Sequence, residues 1–239
     1  MKLTINYDII NKYCFYYVLR GDINEKYTLL ASKLNNPLVK NDVDKFIDDY
    51  FINKKTIEAL IDAGHTVTLV VTQADKPKGR GHKLTPPPVK ECALLHNIPV
   101  FQPEKMKDDA SFERLKEADA DLFVVVAYGK ILPERVLNLP KHGCINVHAS
   151  LLPKYRGAAP IQWSIIGGDA KTGVTTMQMD VGLDTGDMLM KKEIEIEETD
   201  TGETLHDKLS LLGRDVLLET IKALEEGRLT REKQDDSLS

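Results

Sequence analysis

Asn146 and His148 stand two residues apart in the apolar run Cys144-Ile145-Asn146-Val147-His148, and a carboxylate, Asp184, follows in the glycine-rich stretch Val181-Gly182-Leu183-Asp184-Thr185-Gly186-Asp187. Side chains on a strand alternate faces, so a strand over 144–148 turns the amide and the imidazole the same way. An amide N–H can hold a carbonyl oxygen as it gains charge, and an imidazole can pass a proton. A carboxylate beside them can orient the ring, hold a bridging water and stabilise its cationic form. Taken one at a time, these residues read more readily as hydrogen-bonded strand-end groups and a turn aspartate. The chemical reading rests on their occurring together.

The surrounding pattern is that of an open α/β sheet, in which ligands sit beyond the carboxyl ends of parallel strands. Strand 144–148 runs into a loop with Pro153 and Gly157, and Pro160 is placed to open a helix as its first residue. Upstream, a helix is expected over 56–63 with Gly64 as its stop, and a β-branched strand over 66–72. A loop over 75–89, rich in proline and glycine, comes next. Helices are then expected over 90–96, 111–116 and 133–137, and a short strand at Val100-Phe101. Asp121 to Ala127 is a continuous apolar strand of the kind buried on both faces of a parallel sheet. Tyr128-Gly129 ends it, so backbone there lies where a ligand's edge could bond. Strands over 174–179 and 188–197 and an amphipathic helix over 201–226 complete the chain, and the polar tail 228–239 is expected to fray. Alternating strands and helices give a doubly wound, mostly parallel α/β sheet.

Residues 1–53 differ in character, being rich in Asn, Lys, Tyr and Ile. Tyr13 to Leu19 suits a strand and Val43 to Ile52 a helix, but no chemical motif is found there. The segment reads as a small appendage or an unusual first unit, and the sheet's first strand, with its glycine-rich turn, is not evident ahead of Thr56.

The chain has 239 residues, 42% of them apolar, enough for a substantial core in one large domain or two small ones. No apolar run has membrane-spanning length, and the N-terminus lacks a signal-peptide pattern. Cys14, Cys92 and Cys144 are odd in number and far apart, which points to a reducing cytoplasm rather than a disulfide framework. No Cys or His pair has evident metal-ligand spacing, so no metal is expected. The net charge of −5 gives no global attraction to nucleic acid, yet Lys76, Lys78, Arg80, Lys83 and Lys90 oppose a single Asp75 between residues 75 and 90. Such a run is usually a solvated face; equally, its cations could contact phosphates.

Three motifs in order carry a resemblance. INVHASLLPKYRGAAPIQW, followed by MDVGLDTGD, resembles the folate-dependent formyltransferases, and VTQADKPKGRGHKLTPPPVK is similar to the loop insertion of the members that formylate methionyl initiator tRNA. The resemblance covers about residue 56 to the end. It implies a Rossmann-like formyltransferase fold and a catalytic group of Asn146, His148 and Asp184. It implies 10-formyltetrahydrofolate as co-substrate, bound by Ser150, Leu151, Leu152 and Pro153 together with Tyr128 and Gly129. The acceptor would be initiator methionyl-tRNA, contacted by Arg80, Lys78 and Lys83, with no DNA or membrane partner and a monomeric protein. Members open with a strand and turn where residues 1–53 stand here, residues 54–239 correspond to the catalytic domain, and the members' C-terminal β-barrel is expected to be absent. Two rivals to this enzyme are a folate- or RNA-binding remnant without turnover and a formyltransferase acting on a small amine, the latter disfavoured by the basic loop. A nicotinamide enzyme is disfavoured by the lack of G-x-G-x-x-G after a strand.

Overall fold

The computed structural model describes residues 51–78, 83–128 and 131–239. The expected strand over 13–19 and most of the expected helix over 43–52 lie outside the described residues.

The chain enters on α1 (Phe51–Asp62), which stops where expected: Gly64 takes φ +89°, and the N–H of His65 closes onto the carbonyl of Leu60 at 3.0 Å. Strand β1 (Val70–Val71) pairs in parallel with β4 (Val100–Phe101), while α2 (Pro88–Leu95) crosses between them with Pro at its start. Between β1 and α2 the expected loop is ordered as a hairpin of β2 (Lys76–Lys78) and β3 (Lys83–Thr85). After α3 (Asp109–Lys116), capped by the Asp108 carboxylate, the chain forms β5 (Phe123–Val126), a short α4 (Glu134–Leu137) and β6 (Cys144–His148). It closes with α5 (Pro160–Ile166), β7 (Lys171–Gln178), β8 (Met188–Glu195) and α6 (Gly202–Glu225).

The doubly wound α/β class holds, and the sheet is mixed. β5 and β6 are parallel, but β7 returns antiparallel beside β6 and β8 antiparallel beside β7. The β7–β8 hairpin is what the alternating patterns near 174 and 190 allow, since adjacent antiparallel strands need only a short connection. Strand β5 departs from expectation in burial: Phe123 to Val126 are each only half-buried. The cause is visible in the topology. Among the described residues β5 has a neighbour only on its β6 side, and β1 only on its β4 side. A cavity of about 1210 Å³ lies along both open edges.

Helix α6 is the chief cover of one face. Thr201 caps it, its hydroxyl accepting from the N–H of Thr204 while the Thr204 hydroxyl accepts from the N–H of Thr201. Its apolar stripe, Leu205, Leu209, Val216, Leu217 and Ile221, is buried against β6, β7 and β8. The helix crosses the sheet so closely at Gly213 that a Cβ there would lie 3.2 Å from Val147. No helix among the described residues is long and apolar enough to cross a membrane.

The polar tail does not fray. Glu232 exchanges both backbone hydrogen bonds with Met188 (2.8 and 2.9 Å), extending the edge of β8 by one bridge. Polar composition was the misleading signal, because backbone pairing is available to any non-proline residue. Helix α2 also brings Cys92 and His96 one turn apart, with Glu58 of α1 beside them, their ligand atoms all within 4.8 Å of one another. That i, i+4 relation is a spacing the sequence reading passed over.

Leu209 is 1% exposed within the cluster of Ile161, Val174 and Leu205. Leu209→Ala is expected to lower unfolding free energy by about 2–5 kcal/mol, read as a reduced urea midpoint with an unchanged m-value.

Candidate functional site

The site is built at the carboxyl end of β6. Asn146 and His148 project from the same face of that strand, while Val147 turns the other way onto α6. Asp184 arrives from the turn between β7 and β8. Its Oδ1 accepts from the Asn146 amide at 3.2 Å, and its Oδ2 lies 3.6 Å from His148 Nδ1. The same Oδ2 accepts the N–H of Gly157 at 2.9 Å. His148 Nε2 lies 2.9 Å from the carbonyl oxygen of Tyr155, so the ring is fixed between a carboxylate and a carbonyl. The side chains of His148 and Asp184 are 7% and 12% exposed. Water competes little for their contacts, and electrostatic interactions there are correspondingly strong.

The turn that delivers Asp184 is tightly specified. The Asp180 carboxylate accepts from the Gly182 N–H and the Thr185 hydroxyl, an Asx-type closure. A Cβ at Gly186 would fall 1.8 Å from the Gln178 carbonyl, so only glycine passes there. Asp184 itself adopts φ +50°, a left-handed conformation that aspartate tolerates better than most residues. Ala127, Tyr155 and Ala159, on the adjoining strand end and loop, are left-handed too. Asp187 serves the turn through its backbone, its carbonyl accepting from Gln178.

The loop over 149–159 is braced from within. The Ser150 hydroxyl donates to the Lys154 carbonyl at 2.5 Å and the Ser150 carbonyl accepts from the Thr175 hydroxyl, which in turn accepts the Leu152 N–H. Ser150 and Leu152 are buried at 0% and 1% exposure, so their side chains shape the loop from inside. Leu151 and Pro153 are half-buried, and the Leu152–Pro153 peptide is cis. The Lys154 ammonium pairs with Asp169 at 2.7 Å and lies over the Tyr155 ring; the hydrogen bond to Asp169 holds its pKa above the usual lysine value. On the neighbouring strand end, the Tyr128 ring packs against the cluster of Met106, Leu115 and Leu132. Burial pushes its hydroxyl up to about 12, and that oxygen has no hydrogen-bond partner among the described residues. Gly129 lies outside the described residues.

Thus Asn146, His148 and Asp184 come together, and the loop 150–153 lies next to them in the chain. The basic residues are a separate group. Arg80 lies outside the described residues, and Lys78 and Lys83 occupy directly opposed positions in the β2–β3 register. Lys90 is engaged elsewhere: its ammonium donates to both oxygens of Asp75 and to Gln102, and its bonds to Asp75, with one donated by the Gln102 amide, hold the Asp75 carboxyl below its usual range.

Three contributors were missed in the sequence. The Gly157 N–H and the Tyr155 carbonyl are backbone groups, which residue types do not advertise. Gln234, in the tail expected to fray, donates to the carbonyls of Asp184 at 2.8 Å and Gly186 at 2.7 Å. Arg156 ties the tail down, donating to Gln234 and Asp236 at 2.8 Å each.

This is an open α/β, Rossmann-like domain in which a carboxylate bonds an amide and faces an imidazole at a strand end. The chain belongs to the formyl transferase family, whose model matches residues 48–221. It is 56% identical over 184 residues to the methionyl-tRNA formyltransferase of Geobacter metallireducens, covering 77% of this chain and 59% of that protein. The chain therefore spans a little under three-fifths of that relative's length. Among solved structures it resembles phosphoribosylglycinamide formyltransferase from Bacillus halodurans, with a TM-score of 0.61 and 27% identity over 72% of this chain and 89% of that one. It shares its fold with WlaRD, a sugar 3N-formyl transferase solved with dTDP and 5-N-formyl-THF, at a TM-score of 0.58 and 20% identity, over 79% and 64% of the two chains.

Gln234→Ala removes both bonds from the tail to the Asp184 turn. It is expected to lower unfolding free energy by about 1–3 kcal/mol, measured by chemical denaturation, while Gln234→Glu, which keeps the size and loses the donor, shows a similar loss.

Proposed function

We propose that this chain transfers a formyl group from 10-formyltetrahydrofolate to the α-amino group of methionyl initiator tRNA. The observation that carries the reading is the Asp184 carboxylate, which bonds the Asn146 amide and faces His148 at the end of β6. Support for the acceptor comes from the 56% identity to a methionyl-tRNA formyltransferase, and support for the donor from the shared fold of a formyltransferase solved with a formylated folate.

In the reaction the neutral amine attacks the formyl carbon and a tetrahedral intermediate forms with its charge on oxygen. Asn146 has two amide hydrogens, of which Asp184 takes one; the other donates to that oxygen. His148 exchanges its contact with the Tyr155 carbonyl for the reacting centre and, in its protonated form, passes a proton to the leaving folate nitrogen as the carbon–nitrogen bond breaks. The attacking nitrogen loses its proton to a water held at Asp184. The carboxylate already bonds the amide and faces the ring, so little reorganisation is required when charge appears. Leu151 and Pro153, half-buried on the braced loop, offer apolar surface for the flat pterin, and backbone near Tyr128 and Gly129 offers its edge polar contacts.

The hairpin serves the tRNA. Lys78 and Lys83 stand at opposed register positions of the hairpin, and lysine and arginine cations suit phosphate contact. Phosphates of the acceptor end are anions that such cations, Arg80 of the same basic run included, can contact. Lys90 takes no part, since Asp75 and Gln102 hold it.

Asn146→Ala, His148→Ala and Asp184→Ala are each expected to reduce kcat by about 100–1,000-fold in formyl transfer to charged initiator tRNA, with the fold retained by circular dichroism. If all three keep most of their activity, the site assignment fails; if the unmodified chain binds a folate analogue without turnover, the catalytic reading fails. Arg80→Ala, and the pair Lys78→Ala with Lys83→Ala, should raise the KM for tRNA and leave the folate Kd unchanged, and an unchanged tRNA KM removes the hairpin from the interface.

A further inference from the structure

Helices α1 and α2 pack against each other, and their seam carries a group of side chains that takes no part in the site at the end of β6. Ile57 of α1 meets Val89, Cys92 and Ala93 of α2 in one apolar cluster, with Ile61 packed on it. At the rim of that seam three donors converge. The Glu58 carboxylate, the Cys92 thiol and the His96 imidazole have their ligand atoms all within 4.8 Å of one another. The chain positions explain the convergence. The N–H of His96 closes onto the carbonyl of Cys92 at 3.2 Å, so these two residues stand one helical turn apart on one face of α2. Glu58 follows Ile57, and one residue turns the direction by about 100° round the helix, out of the apolar cluster.

The three differ in depth. Cys92 is 1% exposed, Glu58 is half-buried and His96 is exposed, so the group runs from core to solvent and an ion can reach it from outside. A buried cysteine alone is commonly a small apolar filler. Two polar donors brought to its sulfur distinguish this one. Thiolate, imidazole and carboxylate are donor types that zinc accepts together, whereas magnesium and calcium select oxygen. The charges balance as well. A thiolate and a carboxylate together neutralise a dication, and the imidazole binds uncharged. The last turn of α2 adds the negative end of the helix dipole beside the same spot. Tetrahedral zinc holds such donors about 3.3–3.6 Å apart. Rotation of the Glu58 and His96 side chains, without movement of the backbone, closes that gap.

We infer that Glu58, Cys92 and His96 bind a zinc ion, with water in the fourth position. On binding, the Cys92 S–H proton passes to solvent and a zinc–sulfur bond forms, with no change of oxidation state. The ion then clasps α1 to α2. Leu60 of α1 also packs on the cluster that holds Leu217 and Ile221 of α6. The clasp therefore fixes α1 between two other helices, over the sheet.

Metal uptake by the full chain tests this. After treatment with a chelator, dialysis against low-micromolar zinc should give one zinc per chain by atomic emission, and excess magnesium or calcium should not displace it. Cobalt in place of zinc should show the near-ultraviolet charge-transfer band of a thiolate ligand. Zinc should also raise the midpoint of thermal unfolding. Cys92→Ser should abolish the thiolate band. Glu58→Gln and His96→Gln should each weaken zinc binding by more than the ~10–100-fold that loss of an outer partner costs a metal site. His96 is exposed, so His96→Gln decides the matter even if Cys92→Ser fails to fold. No retained zinc, a cobalt complex without the thiolate band, or zinc held as tightly by His96→Gln as by the unmodified chain overturns the inference. A thiolate band that survives Cys92→Ser assigns the metal to Cys14 or Cys144 and overturns it too.

Discussion

One carboxylate holds three separate pieces of chain in register. Asp184 bonds the side chain of a central strand residue, the backbone of the loop that follows that strand, and lies against the ring of His148. None of these partners is a sequence neighbour of Asp184. Without the carboxylate, the Asn146 amide and the Gly157 N–H would lose their acceptor in a poorly hydrated setting, at about 1–3 kcal/mol for each group left unsatisfied. The braces around the turn, Asp180, Gly186 and Gln234, all act to keep that one group in place.

How much of this could be read in advance follows from the physics of each element. Strand β6 was legible to the residue, because a short apolar run bounded by Gly143 and a Pro-containing loop has few alternatives. Pro160 marked a helix start by known local chemistry, and the apolar stripe of 201–226 marked the last helix. The union of Asn146, His148 and Asp184 was legible through the motifs that carry them. Local pattern fails where the determining partner is distant. The tail 228–239 looks unstructured by composition, yet Glu232 pairs with β8 and Gln234 with the Asp184 turn, contacts no local pattern encodes. Lys90 counted as one more cation of a basic run until the fold set Asp75 and Gln102 around it.

Strand β5 shows the same limit. Its sequence specifies cover on both faces, and helices do cover both faces, but strands also have edges, and edge satisfaction is not written in hydrophobicity. The half-burial of Phe123 to Val126 thus goes with an edge that has no neighbour among the described residues, and not with bare faces.

The left-handed backbone of Asp184 has an evolutionary corollary. At φ +50° glycine and asparagine fit the conformation but carry no negative charge, while glutamate keeps the charge with a longer reach and a poorer fit. Shape and charge therefore select against different replacements, and every single-step escape forfeits one of the two. A replacement at this position is thus tested twice, once by backbone shape and once by charge. Glycine there would satisfy the backbone geometry alone and remove the carboxylate that Asn146 and Gly157 bond.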